Sequence, residues 1–291
     1  TAIETVMLMC GGMSFYDALL HAFATAGTGG FSTRAASIGA FHSLYIEMVT
    51  ATFMLIFAVN FNLYFLLLIG RLRDVVKNEE LHWYLALFAG STLFVSLMIL
   101  PQYGTFLNAL RYGSFQVATI MSTTGYATAD FNLWPQAVKA LIVVLMFIGS
   151  CAGSTAGGIK VVRVGILCKL GCREVRRTFQ PRKVRVVRLD GKSVPEEMLS
   201  GISIFFFVYI ALVLLGALAV ASSGANLVTA FTASLTCVSN VGPGFGAVGP
   251  MCNFGFLPGY VKAILTLLML AGRLEIYPML VLLVPSMWKK A

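Results

Sequence analysis

Long apolar runs, interrupted by polar or glycine-rich breaks, set the pattern of this chain. Runs long enough to cross a bilayer extend over Leu44–Ile69, Leu81–Leu100, Ile202–Val220 and Val261–Leu283. A crossing helix needs about 20 apolar residues, so each reads as a membrane span. Val138–Phe147 is too short by itself and is expected to continue past a break. Between the long runs lie three amphipathic stretches of about a dozen residues, predicted as helices over Phe15–Thr25, Ala109–Met121 and Leu227–Cys237. At a rise of about 1.5 Å per residue they cannot cross a membrane. Ser14, Asn108 and Asn226 stand where N-caps belong, and Asp17 sits near the positive end of the first helix. Thr1–Cys10 reads as the tail of a helix that begins outside the chain. The pattern predicts an all-α polytopic membrane protein in which a helix, a short helix and a long returning helix recur.

Each short helix leads into a similar segment. These are Thr28-Gly29-Gly30-Phe31-Ser32-Thr33, Ser122-Thr123-Thr124-Gly125-Tyr126-Ala127-Thr128 and Ser239-Asn240-Val241-Gly242-Pro243-Gly244-Phe245. Gly30 and Gly125 are 95 residues apart, and Gly125 and Gly242 are 117 apart. That period exceeds the roughly 20–50 residues of soluble repeat arrays. Non-helical backbone at membrane depth is tolerated only where it is buried or lines a cavity, and there its carbonyls can replace a cation's water shell. Glycine lets the backbone turn those carbonyls inward. The preceding short helices would aim the partial negative charge of their C-termini at the same point. Thr28, Thr123, Thr124 and Asn240 are expected to tie the segments down through their side chains. An interfacial helix with an ordinary loop would explain one copy, but not three at similar spacing. No Asp or Glu ring occurs in the segments, which argues against a divalent-cation site.

Composition and charge set the orientation. The chain is 58% hydrophobic and 11% charged, with a mean hydropathy of +0.85. A soluble domain carries about 25% charged residues. The net charge of +9 is concentrated, with eleven of 21 Lys and Arg residues falling between Lys160 and Lys192. Arg71, Arg73 and Lys77 follow the first long run, and Lys289 and Lys290 close the chain. Positive residues favour the cytoplasm, so 71–80, 160–200 and the C-terminus are assigned there and the glycine segments toward the outer face. The basic run Arg173–Arg188 is therefore read as topological, or as a docking surface on 164–198 that also includes Arg182 and Lys183, and not as a nucleic-acid site. The six cysteines form no metal or redox spacing. With three His residues (His21, His42, His82) and no catalytic constellation, the chain is not read as an enzyme.

Two features inside the apolar runs carry further chemistry. Gly149-Ser150-Cys151-Ala152-Gly153-Ser154-Thr155-Ala156-Gly157-Gly158-Ile159-Lys160 interrupts the run that starts at Val138. It is no nucleotide loop, since Ile159 separates Gly158 from Lys160 and Val161 stands where Ser or Thr is required. Small-residue helix packing would also use such a stretch. Arg273 and Glu275 lie in the last run, where charge usually faces a cavity or partner, or snorkels to the interface near a helix broken at Pro278. His42, Glu47, Asn60 and Asn62 on the first run are read as structural.

The three glycine segments, the Gly149–Lys160 stretch and Ala271-Gly272-Arg273-Leu274-Glu275 together resemble the Trk/Ktr/HKT superfamily of potassium transporters. The resemblance covers essentially the whole chain. It implies helix–pore-loop–helix repeats around a pseudo-fourfold pore, with a broken helix in the middle repeat. It divides the chain into repeats over 1–80, 81–200 and 201–291. Potassium would be conducted through a filter of Thr28, Gly29, Gly30, Thr123, Thr124, Gly125, Asn240, Val241 and Gly242. The implied gate comprises Gly153, Ser154, Thr155, Gly157 and Gly158, with Arg273 lining the pore below. The resemblance further implies a bacterial inner-membrane homodimer docked to a cytoplasmic nucleotide-binding regulatory ring, with potassium as substrate and no covalent cofactor. Coupling to a proton or sodium gradient is left open. Only three filter segments occur where the superfamily has four, so the chain matches repeats two to four and reads as a fragment, the alternative being that the missing quarter comes from elsewhere. A sodium-permeable member of the superfamily, or a solute transporter with discontinuous helices, are the alternatives.

Overall fold

The computed structural model of the chain describes residues 1–180, 185–274 and 276–282. One order of helices recurs three times. First come α1 (Ala2–Cys10), α2 (Phe15–Ala26), α3 (Leu44–Phe57), α4 (Phe61–Leu68) and the short α5 (Leu72–Val76). Next are α6 (Glu79–Tyr103), α7 (Phe106–Met121), α8 (Gln136–Ile148) and α9 (Val161–Phe179), followed by a hairpin of β1 (Arg188–Leu189) and β2 (Lys192–Ser193). Last are α10 (Glu196–Ala221), α11 (Leu227–Ser239), α12 (Gly259–Arg273) and α13 (Ile276–Leu282). The hairpin is antiparallel, with Arg188 opposite Ser193. It and α9 occupy 160–200, which the sequence presents as a basic loop.

Local chemistry starts each short helix. The Asp17 N–H donates to Ser14 Oγ at 3.1 Å, and the Thr229 N–H donates to Asn226 Oδ1 at 2.8 Å, satisfying donors that the first helical turn leaves free. In the second copy the cap is Thr105, whose Oγ1 accepts from the Asn108 N–H at 3.4 Å. This helix therefore starts at Phe106 and not at Ala109, because the Thr105 hydroxyl captures the first turn before Asn108 can. The returning helices α8 and α12 begin directly after Pro135 and Pro258, whose fixed φ suits a helix entrance.

Two helices, α6 and α10, are long and apolar enough to cross a bilayer unaided among the described residues. Their outer faces leave Leu93, Leu97, Phe207, Leu214 and Leu218 exposed, an apolar belt of the kind a bilayer accommodates. The first long run does not form one span. It breaks into α3 and α4 with a bend of 88°. The reason is local: the Ala58 carbonyl accepts from the Cys151 N–H at 3.2 Å, and the Phe61 N–H donates to the Gly153 carbonyl at 3.1 Å. Asn60 Oδ1 then caps α4 by accepting the Asn62 N–H at 2.9 Å. The last run also divides, at Leu274. Pro278 lies in the first turn of α13, where a missing N–H costs no helical bond, so the break is upstream of the proline.

The continuous core joins α6 to α12 and includes the fully buried Tyr84, Ile99, Phe131 and Tyr209. A smaller core around Leu8, Ile46, Met54, Phe115 and Tyr126 packs α1, α2 and α3 onto α7. The two cores hold the ends of α2, α7 and α11 toward one region.

Candidate functional site

At the C-terminal ends of α2, α7 and α11 the chain makes the same turn three times. Thr28, Thr123 and Asn240 adopt left-handed φ values of 48°, 54° and 55°, and two residues later Gly30, Gly125 and Gly242 have φ of 65°, 86° and 100°. The N–H of each left-handed residue bonds the carbonyl three residues earlier: Thr28 to Thr25, Thr123 to Ile120, Asn240 to Cys237. The next N–H reaches back five residues, from Gly29 to Ala24 at 2.7 Å, from Thr124 to Thr119 at 3.0 Å and from Val241 to Thr236 at 2.9 Å. This is a Schellman ending, which usually has glycine at the left-handed position. A side chain there costs about 1 kcal/mol or more.

The side chains at these positions are anchored. Thr28 Oγ1 donates to the Gly27 carbonyl at 2.8 Å and lies 3.1 Å from the Thr155 carbonyl. Thr123 Oγ1 accepts the Gly157 N–H at 2.8 Å. Asn240 Nδ2 donates to the Met269 carbonyl at 3.1 Å, and Thr124 Oγ1 bonds Ser122 Oγ at 2.7 Å. All four expected side-chain ties are thus made.

The glycines set the mutual arrangement. A Cβ on Gly30 would overlap the Thr124 carbonyl oxygen, and one on Gly125 would overlap the Val241 carbonyl oxygen. Each segment therefore presses its glycine on the residue before the next segment's glycine. The relay runs from first to second to third and stops. Around a Cβ at Gly242 nothing lies within 4 Å among the described residues. Phe31 is 81% exposed, whereas Tyr126, which follows Gly125 as Phe31 follows Gly30, is fully buried. The three turns thus pack in series, the first on the second and the second on the third.

Beneath them lies the 149–160 segment. Ala152 N–H donates to Glu80 Oε1 at 2.6 Å, Ser154 Oγ donates to the Cys151 carbonyl at 2.6 Å, and Gly157 packs where a Cβ would overlap the Ser239 carbonyl. Gly153 lies against Asn60, Gly158 folds back onto Gly149, and Lys160 Nζ donates to the Ala156 carbonyl. Arg273 reaches up from the end of α12. It donates to Thr28 Oγ1 at 3.0 Å, to the Gly27 carbonyl at 2.7 Å and to the Thr155 carbonyl. One side chain thus joins the first glycine segment to the broken helix of the second unit. Glu275 lies outside the described residues.

Several participants were not legible as such. Glu47 and Arg111 form a two-pronged ion pair, Nε to Oε2 at 2.6 Å and Nη2 to Oε1 at 2.8 Å, that clamps α3 to α7. The available signal was a lone carboxylate and a lone guanidinium in apolar surroundings, but their pairing is a tertiary fact. Glu80, at the start of α6 in the same unit, and Asn60, from the preceding unit, likewise serve the 149–160 segment. On the outer rim, Asp17 Oδ1 accepts the Thr33 hydroxyl at 2.6 Å, and Oδ2 lies 3.4 Å from Arg34 Nη2. The Thr33 bond above all holds the Asp17 carboxyl below its ordinary range.

Comparison with known proteins agrees with this geometry. The sequence matches the family described as TrkH, cation transport protein, over residues 2–290. It is 39% identical over 285 residues to the Trk system potassium uptake protein TrkH of Halomonas elongata, covering 97% of this chain and 58% of that protein. Identity to the Escherichia coli K12 protein of the same name is 35% over 293 residues, covering 100% and 60%. The fold is similar to the crystal structure of the potassium transporter TrkH from Vibrio parahaemolyticus, with a TM-score of 0.91, 33% identity, and coverage of 99% of this chain and 62% of that one. The chain spans about three fifths of the length of these relatives. It is a membrane protein and belongs to the TrkH family of cation transport proteins, which are transporters and not enzymes.

Proposed function

We propose that this chain supplies three of four sides of a potassium pathway in a bacterial inner-membrane uptake protein. The observation that carries the reading is the threefold turn, with Gly30 seated on Thr124, Gly125 on Val241, and Gly242 facing open space. In this reading residues 1–80, 81–200 and 201–291 are successive pore repeats, and a fourth segment closes the ring beside Gly242. Backbone carbonyls of Thr28, Gly29, Gly30, Thr123, Thr124, Gly125, Asn240, Val241 and Gly242 replace the hydration shell of a dehydrated potassium ion without adding charge. The C-termini of α2, α7 and α11 contribute a favourable potential at the same point.

The 149–160 segment and Arg273 form the gate. Thr155 and Gly157 touch the turns at Thr28 and Thr123, Gly153, Ser154 and Gly158 complete the same segment, and the Arg273 guanidinium opposes a cation there by charge. The segment's hydrogen bonds to Thr28 and Thr123 mean that displacing it would also disturb the filter anchors. The complete protein would act as a homodimer with a cytoplasmic nucleotide-binding ring, as the resemblance implies.

Rubidium and sodium uptake by the complete protein in proteoliposomes tests the reading. Rubidium uptake that excess sodium fails to block supports it. Equal permeation of sodium points to the sodium-permeable alternative, and solute counterflow without cation flux would replace the pore with a solute carrier.

A further inference from the structure

We propose that the cytoplasmic cavity between α9 and the strand that returns toward the membrane binds the phosphodiester headgroup of an anionic phospholipid of the inner leaflet. The cavity has a volume of about 680 Å³ and is lined by Lys169, Arg173, Arg176, Arg185, Val186 and Arg188, with no carboxylate in its wall among the described residues. Arg173 is tied to Glu196 and Lys169 to Glu79, which partly neutralises those two. Arg176 forms no ion pair among the described residues. Arg185 gives Nη2 to Gln180 Oε1 at 2.8 Å, while its Nε is buried with no partner among the described residues. A guanidinium with an unused buried donor, in a wall shared with other cations, fits a phosphate oxygen.

The ion pairs also fix the depth of the cavity. Glu79 and Glu196 are the first residues of the spanning helices α6 and α10, and they hold Lys169 and Arg173, about one helical turn apart on α9. The cavity floor is therefore level with the cytoplasmic ends of two spans, where lipid headgroups lie. Val175, Phe179 and Val186 are 62%, 81% and 53% exposed beside it. An apolar rim around a basic pocket at this depth suits a lipid, and a free phosphate would have no use for it. The wall is preformed. Val187 and Val194 are buried with Ile166 and Leu199, the Val194 N–H donates to the Val187 carbonyl at 2.9 Å, and Asp190 accepts from Asn78 Nδ2 and from the Glu79 N–H.

Native mass spectrometry of the complete protein in a neutral detergent tests this, with dioleoyl phosphatidylglycerol titrated against dioleoyl phosphatidylcholine. The protein is expected to retain phosphatidylglycerol selectively. Replacing Arg176→Gln and Arg185→Gln should weaken retention by about fivefold per charge. The charge-matched pair Arg71→Gln and Lys77→Gln should leave it unchanged, and Arg176→Lys with Arg185→Lys should keep most of it. Equal loss in both Gln pairs would mean diffuse attraction, and would overturn the site. So would displacement of the lipid by millimolar inorganic phosphate, which would mark a free-phosphate pocket. If the wild type shows no preference for phosphatidylglycerol, and a soluble protein partner alone protects the cavity, the surface is a protein dock.

Discussion

The Thr123 hydroxyl accepts the Gly157 N–H at 2.8 Å, so a glycine turn of one helix end is bonded to the segment that interrupts the returning helix of the same unit. Arg273 completes the connection by bonding Thr28 on one side and Thr155 on the other. Filter and gate, in the proposed reading, are one hydrogen-bonded body. The fold holds them together because every returning helix is broken at the depth where the 149–160 segment passes.

Removing the Arg273 donors should loosen that body. Arg273→Gln in the complete protein is expected to raise basal rubidium flux several-fold. It should also speed labelling of a Cys introduced by Ser154→Cys with a cytoplasmic thiol reagent, relative to Ser154→Cys alone. Unchanged flux and labelling would leave Arg273 with packing only.

The glycine relay predicts a contrast among substitutions. Gly30→Ala and Gly125→Ala drive a methyl group into a carbonyl of the neighbouring segment and should abolish potassium selectivity or flux. Gly90 on α6 has nothing within 4 Å of its Cβ position, so Gly90→Ala should leave transport intact and stabilise by about 0.5–1 kcal/mol through helix propensity. Parallel flux assays and thermal melts of the three variants check both statements.

The Glu47–Arg111 pair is largely enclosed, with Glu47 only 4% exposed. Truncating one partner leaves the other charge uncompensated, so Arg111→Gln should cost about 3 kcal/mol or more. Arg111→Leu with Glu47→Leu should cost less than the single change, and a double-mutant cycle on melting in detergent reads the coupling. Additive losses would show that the ion pair contributes nothing beyond packing.

Asp17 gives a pH dependence of known sign. Its carboxyl is depressed in the folded protein, so its contribution is full above the ordinary carboxylate range and is lost as pH falls through the lower folded value. The melting difference between wild type and Asp17→Asn should therefore persist at neutral pH and shrink below about pH 4. A difference that stays constant over that range would mean the Thr33 bond is indifferent to the charge.

Much of this was legible in the chain. Apolar runs marked α6 and α10, and Ser14 and Asn226 marked two of the three short helices. Recurring Gly30, Gly125 and Gly242 marked the turns, because all three have positive φ and, at Gly30 and Gly125, a neighbour's carbonyl leaves no room for a Cβ. The bend at Ala58–Asn60 was hidden, since around it Phe53–Ile69 is apolar apart from Asn60, Asn62 and the Tyr64 hydroxyl, and the bond partners that bend it lie some ninety residues away. Arg111 and Glu47 were visible singly but not as a pair. The hairpin at Arg188–Ser193 has a two-residue turn of Asp190-Gly191, a signal obscured by the surrounding run of charges.

The most direct test of the proposed pathway is anomalous diffraction from crystals of the complete protein grown with thallium in place of potassium. The account predicts ion density on the axis between residues 28–30, 123–125 and 240–242, ringed by their carbonyl oxygens, and absent in Gly125→Ser. Density confined to the protein surface, or seated among side chains away from these turns, would contradict it.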